Sequence, residues 1–203
     1  MNVSDIPSEE IDRAVVLLRS GGLVAFPTET YYGLAVDPFN ESALQRLFRV
    51  KKRPQVKPVL VLISGKGQLN ILAENIPDIA IHLIDNFWPG PLTVVLPARS
   101  TMSGLLTGGT STIGIRHSPH PVASSLLHSM GGPVTATSAN RSGEPAAVSA
   151  EDVRHIFGNE VDMILDGGST PGKLGSTLIG FEQGQVKCIR EGCIPFARIL
   201  NAL

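Results

Sequence analysis

A chain of 203 residues, 42% hydrophobic and 17% charged, is long enough for one sizeable core, reads as a single domain over 1–203, and is neither a disordered tail nor a fibrous protein. Its 17 Lys and Arg against 18 Asp and Glu leave a net charge of −1, which excludes a protein that binds nucleic acid over its whole surface. Two cysteines, Cys188 and Cys193, make neither a disulfide scaffold nor a zinc set, and no stretch approaches ~20 apolar residues, so a soluble cytoplasmic protein with free thiols and no membrane contact is predicted.

Ile11, Ala14, Val15 and Leu18 recur at helical spacing behind Ser8, the predicted cap, with Gly21 just past the end. "LVAF" (23–26) reads as a buried strand stopped by Pro27. A second helix from about Ser42 puts Leu44, Leu47 and Phe48 on one face and Arg46, Arg49 and Arg53 on the other, and Pro54 ends it. "VLVLI" (59–63), "LTVVL" (92–96), "TIGI" and "PVTA" are strand candidates, with helices beginning near Pro77, Pro121 and Ser149, where "SAED" has the form of a capping sequence. After "MILDGG" come a loop, the strands "TLIGF" and "VKCI", and a final helix from about Pro195 with Phe196, Ile199, Leu200 and Leu203 in step. Short buried strands alternating with helices predict an α/β or α+β fold around a largely buried sheet.

"KKRPQVKP" (51–58) concentrates four cations at the end of the second helix. A cationic last turn commonly serves only the helix dipole, but Lys51 lies three residues after Phe48 and so continues the apolar face. A lysine there needs an anionic partner, and no carboxylate lies within a helical turn, which points to a ligand phosphate. "GGSTPGK" (167–173) imitates a phosphate-binding loop but continues with Leu174 instead of Ser or Thr and with no helix, so it reads as a turn. "TATSANRSG" (135–143) and "PTETYYGL" (27–34) each follow a strand and offer hydroxyls from Thr28, Thr30, Tyr32 and Ser138, with the Asn140 amide. On residue types alone, Ser138 and Asn140 form a hydrogen-bonded turn, although strand ends are also where α/β sheets hold ligands. Arg116 and Arg190 close two further strands. The five histidines show no metal spacing, "HSPH" (117–120) reads as a surface loop, and there is no nucleophile elbow. The residues alone thus describe a cationic, hydroxyl-lined anion site.

Taken together, "PTETYYGL", "KKRP", "FWPGPLTVVLP", "IGIRHSPHPVA", "TSANRSGEPA" and the late "GST…REG" resemble the YrdC-type threonylcarbamoyl-AMP synthase family, almost from end to end. The resemblance implies a YrdC-like twisted open mixed sheet covered by helices, with a concave face and without the C-terminal extension domain of longer members. It implies condensation of L-threonine, bicarbonate and ATP, with Mg2+ carried on the ATP, to threonylcarbamoyl-AMP and pyrophosphate. A downstream complex would then modify the adenosine beside the anticodon of tRNA. By position, Lys51 and Arg53 would be the catalytic cations. Lys51, Arg53, Lys57, Thr112, Ser138, Asn140, Ala146 and Arg190 would serve ATP. Thr30, Tyr32, Leu62, Arg116, Ala136 and Ser176 would surround threonine, Arg116 taking its carboxylate. Leu62 stands where many members have a His, Gly175 replaces a Glu, and Glu191 replaces a Pro. The alternative is a YrdC-like RNA-binding paralogue without synthase activity; the intact pair of "KKRP" and "TSAN" argues for the synthase. A carbamoyl-transfer domain of the hydrogenase-maturation kind would bring Cys motifs that this sequence lacks. Direct binding of tRNA or double-stranded RNA would need a basic face built from Arg46, Arg49 and Lys52.

Overall fold

The structure is a computed structural model and describes residues 6–203. Eight α-helices are described: α1 (Ser8–Arg19), α2 (Glu41–Lys51), α3 (Leu69–Leu72), α4 (Asp78–Phe87), α5 (Gly104–Thr107), α6 (Pro121–Met130), α7 (Ala150–Phe157) and α8 (Phe196–Leu200). Ten strands accompany them: β1 (Val24–Pro27), β2 (Tyr32–Ala35), β3 (Val61–Leu62), β4 (Leu92–Pro97), β5 (Thr112–Arg116), β6 (Val134–Thr135), β7 (Thr137–Ser138), β8 (Met163–Ile164), β9 (Thr177–Glu182) and β10 (Gln185–Arg190). No helix among the described residues is long and apolar enough to cross a membrane.

The mixed α/β fold is as expected, and its strands form two mixed sheets, ordered β7-β2-β1-β8 and β10-β9-β4-β5-β3-β6. The division falls within "PVTATS". Thr135 still pairs with Val61 in the larger sheet, whereas Thr137 already pairs with Leu34 in the smaller one. Ala136 between them donates its N–H to the Leu60 carbonyl at 2.8 Å, one step further along the register of the larger sheet. One large core lies under α2, α4 and the six-stranded sheet, and a second is formed where α1 and α6 cover β1. Strand alternation decides which side chain enters which core: Val61 points into the first and Leu62 into the second.

Several local expectations need correcting. Pro7, not Ser8, occupies the cap position of α1, and no side chain caps that end, because Ser8 is already helical. "VLVLI" supplies only Val61 and Leu62 to the ladder; Val59 instead bonds to the Leu106 carbonyl. The last helix stops at Leu200, so Ile199 alone of its apolar stripe is fully buried, while Leu200 and Leu203 are exposed. Cys188 and Cys193 are free and exposed.

The capping sequence before α7 forms as read. Ser149 Oγ accepts from the Asp152 N–H at 3.1 Å, and Asp152 Oδ2 accepts from the Ser149 N–H at 3.0 Å. Hydrogen bonds from Val148 and Ser149 hold the Asp152 carboxyl below its usual range. Ser149→Ala should therefore lower the unfolding free energy by about 1 kcal/mol in urea denaturation, and an unchanged midpoint would contradict the cap's contribution.

Candidate functional site

One face of strands β9, β4 and β5 of the larger sheet and the β2–β7 side of the smaller sheet border a cavity of about 790 Å³, toward the upper end of the ~300–1,000 Å³ range of small-molecule sites. The smaller sheet contributes Tyr32, Gly33, Thr137 and Ser138; the larger contributes Thr93, Val95, Thr112, Gly114, Arg116 and Leu178. Ala136, the residue at which the chain changes sheets, lies between them. On β4 the alternation is plain: Leu92, Val94 and Leu96 are buried in the core, while Thr93 and Val95 face the cavity.

Five cations line this space, Arg53, Lys57, Arg116, Lys173 and Arg190, against one carboxylate, Glu191. Lys52 makes the αL turn that closes α2 (φ 50°), which carries Arg53 out of the helix. Arg53 then gathers its own loop, donating from Nη2 to the Pro58 carbonyl at 2.7 Å and from Nε to that of Lys57 at 3.4 Å. Burial lowers its pKa. Arg190 reaches the cavity because the β9–β10 register shifts between Cys188 and Arg190, and its Nη2 donates to the Ser176 carbonyl at 2.9 Å. A Cβ at Gly175 would stand 3.1 Å from Arg190 Nη2, so the glycine spares the arginine's tip a small displacement. Where the family pattern has Glu and Pro, this chain thus has room for the arginine and, in Glu191, an acceptor for the Phe196 N–H at 2.7 Å.

Arg116, 3% exposed, is the most buried of these five cations. Burial lowers its pKa, Glu29 at 3.3 Å opposes that, and Arg190 adds to it. Hydroxyls surround it: Arg116 Nη1 donates to Thr30 Oγ1 at 3.4 Å, Thr30 Oγ1 lies 3.0 Å from Thr28 Oγ1, and the Thr93 and Ser176 hydroxyls pair at 2.7 Å. Tyr32 presents its ring, while its hydroxyl donates to the Gly168 carbonyl at 2.8 Å; burial, then Asp166, pushes its pKa up to about 12.

Arg53, Lys57, Thr112, Ser138, Ala146, Arg190, Thr30, Tyr32, Arg116, Ala136 and Ser176 border one cavity. Three candidates do not. Leu62 is fully buried in the second core beneath α1 and α6, one pleat beyond Leu60, and cannot reach a ligand. Lys51 is buried as its spacing required, but its partners are protein carbonyls. Its ammonium donates to the Ser138 carbonyl, to the Asn140 carbonyl at 2.8 Å and to Asn140 Oδ1 at 3.1 Å. Asn140 in turn accepts from Ser138 Oγ at 2.7 Å and donates to the Glu144 carbonyl, so its amide closes the turn instead of facing a ligand.

Sequence reasoning passed over Thr93, Lys173, Glu29 and Ser118. Thr93 was signalled as the one polar residue within "LTVVL", and Lys173 was set aside with the false phosphate loop, although that turn does border the cavity. Arg46 is not a free element of a basic face, since it grips Asp162 through two nitrogens at 2.5 and 2.9 Å. "HSPH" is only partly a surface loop: Pro119 is exposed, but burial lowers the pKa of both His117 and His120.

Residues 16–192 match the Sua5/YciO/YrdC family model, described as "Telomere recombination". The chain belongs to the Sua5/YciO/YrdC family. Among relatives, it is 39% identical over 186 residues to a threonylcarbamoyl-AMP synthase of Pyrococcus abyssi, covering 92% of this chain and 55% of that protein. A threonylcarbamoyl-AMP synthase of Coxiella burnetii (strain RSA 493) is 40% identical over 160 residues, 79% of this chain and 86% of that one. In structure, this Sua5/YciO/YrdC chain superposes on P. abyssi Sua5 complexed with L-threonine with a TM-score of 0.95 at 38% identity, over 98% of this chain and 59% of that one. It therefore spans little more than half of the archaeal relative and most of the bacterial one.

Proposed function

We propose that this chain joins L-threonine, bicarbonate and ATP into threonylcarbamoyl-AMP with release of pyrophosphate. The observation that carries the reading is the convergence of five cations on one cavity with a single carboxylate, the most buried cation lying among hydroxyls. Arg116 with Thr30 suits an amino-acid carboxylate, and Ser176 and the Ala136 backbone lie within the same space. Arg53, Lys57 and Arg190, with Lys173 at the rim, suit a triphosphate, with Thr112, Ser138 and Ala146 along the nucleotide's path.

The threonine amine would attack bicarbonate, forming the N–C bond of a carbamate with loss of water. A carbamate oxygen would next attack the α-phosphorus of ATP, breaking the bond to the β-phosphate oxygen and releasing pyrophosphate. The side chains' part would be electrostatic: charge gathers on the α-phosphoryl oxygens and the leaving group, and Arg53 and Arg190 would stabilise it there. Lys51 and Asn140 act indirectly, by holding the Ser138 turn. The residues do not make a magnesium cage. No group of three potential ligands exists among those described, and Glu191 Oε1 already accepts from Phe196; magnesium would travel on the nucleotide. The product is a mixed anhydride, and a tRNA-modifying transfer complex would consume it.

The test is pyrophosphate release from ATP with L-threonine or bicarbonate omitted in turn, with mass spectrometry for threonylcarbamoyl-AMP. Release dependent on both is expected; release indifferent to threonine would overturn the reading. L-Serine, lacking one methyl group, should be used with a kcat/KM about 10- to 200-fold lower, and parity between the two would refute a threonine-shaped pocket.

A further inference from the structure

Among the described residues, three buried side-chain polar atoms lack a hydrogen-bond partner: Glu29 Oε1, Arg116 Nε and His120 Nδ1. All three belong to one cluster. Glu29 and Thr30 are the central residues of the turn between β1 and β2, which is closed by the Thr28 N–H donating to the Tyr31 carbonyl at 3.1 Å. Thr28 Oγ1 fixes the same turn from the side-chain level, donating to that carbonyl at 2.8 Å. From this rigid turn Thr30 accepts from Arg116 Nη1, and Glu29 Oε1 stands 3.3 Å from the same nitrogen. Behind Glu29, the Ser118 hydroxyl donates to Oε2 and accepts from the His120 N–H at 3.2 Å.

We propose that Glu29, held by Ser118, is the positioning residue for Arg116, its charge keeping the guanidinium at the place where it meets the amino acid's carboxylate. The inference rests on the reading of Arg116 given above. Glu29 does not line the cavity, so it acts through the arginine. Its charge counters the burial of a guanidinium that is 3% exposed. The pair is close without being hydrogen-bonded, because Oε1 and Nε are both unpartnered. A guanidinium has five N–H donors, and one of them is committed to Thr30. Nε is buried as well as unpartnered, so Nη2 is the donor left to a carboxylate in the cavity. An ion pair that only stabilised the fold would be expected to use up the fork.

The test compares the whole chain with Glu29→Gln, which keeps the shape and removes the charge, and Glu29→Asp, which keeps the charge. Readouts are calorimetric Kd for L-threonine, KM for L-threonine and for ATP from pyrophosphate release, and thermal melting. Glu29→Gln should raise Kd and KM for L-threonine by about 10-fold or more while KM for ATP stays within about twofold, with Glu29→Asp recovering part of the loss. A parallel rise in both KM values together with a lower melting temperature would make Glu29 structural and overturn the proposal. So would unchanged threonine binding, or tighter binding, which would mean that the carboxylate merely competes with substrate. Should Glu29→Gln fail to fold, Ser118→Ala decides. Loosening the carboxylate there should raise KM for L-threonine about threefold, and no change would overturn the idea. A wild-type chain that binds no L-threonine would sink the synthase reading and this inference with it. Wild-type binding matched by Glu29→Gln would sink the inference alone.

Discussion

Arg116→Ala is expected to lower kcat/KM for L-threonine about a thousandfold, equivalent to about 4 kcal/mol, while leaving KM for ATP within about twofold. The size follows from depth. Arg116 is 3% exposed, so water cannot replace the lost donors, and a substrate carboxylate entering the variant would be desolvated against neutral hydroxyls. The loss should be accompanied by a lower melting temperature, because Glu29 would be left beside Thr30 and Ser118 without its cation, at a cost of about 3 kcal/mol. Arg116→Lys separates charge from shape. An ammonium keeps the net charge but not the fork, so its threonine KM should lie between those of the wild type and the alanine variant. Pyrophosphate release at saturating ATP with varied L-threonine measures all three chains. An alanine variant with an unaltered threonine KM would remove Arg116 from the site.

What the sequence disclosed about this site, and what it hid, divides along physical lines. The end positions of Arg53, Arg116 and Arg190 and the hydroxyls of Thr30, Tyr32 and Ser138 were legible as local properties of the chain, whereas Lys57, Thr112, Ala136, Ala146 and Ser176 were placed only by the family resemblance. Partners distant in sequence were not legible. The spacing after Phe48 pointed to an anionic partner, a ligand phosphate, for Lys51; the partners are instead neutral oxygens of residues 138 and 140, and that depends on how β7 leaves the smaller sheet. Leu62 was assigned to the threonine side by position in a motif, whereas the register of β3 turns it into the second core. The break between the two sheets turns on one residue, Ala136, in a stretch whose apolar pattern gives no sign of it. Likewise the irregular register that delivers Arg190 lies inside "VKCIR", a run with the pattern of an ordinary strand. Glu29 shows the converse failure. It sat in view within "PTETYYGL", but a carboxylate in a turn carries no signal of its cation until the fold brings residue 116 beside it.

Lys51→Met should disable the enzyme from outside its cavity. Methionine preserves the buried stem and deletes the ammonium that holds the Ser138 carbonyl and both oxygens of Asn140. Orphaned buried acceptors cost about 1–3 kcal/mol each where they cannot find new donors, so a net loss of about 3 kcal/mol is expected. Displacing the turn by about 1 Å would cost roughly a hundredfold in kcat, because Ser138 and Ala136 border the cavity in which the proposed substrates would sit. The pH dependence gives an independent reading of the same side chain. Burial, with Arg53 and Arg141 nearby, pulls the Lys51 pKa from 10.5 to about 7. Between those values the unfolded chain holds a proton that the folded chain has released. The contribution of Lys51 to stability therefore rises with pH across this window and is lost as pH falls through about 7, with a slope of up to about 1.4 kcal/mol per pH unit. Urea unfolding of wild type and Lys51→Met at pH 6.5, 8 and 9.5, roughly spanning that window, should show the wild-type advantage growing with pH. A constant difference would mean that the three carbonyl acceptors outweigh burial and keep the ammonium charged throughout.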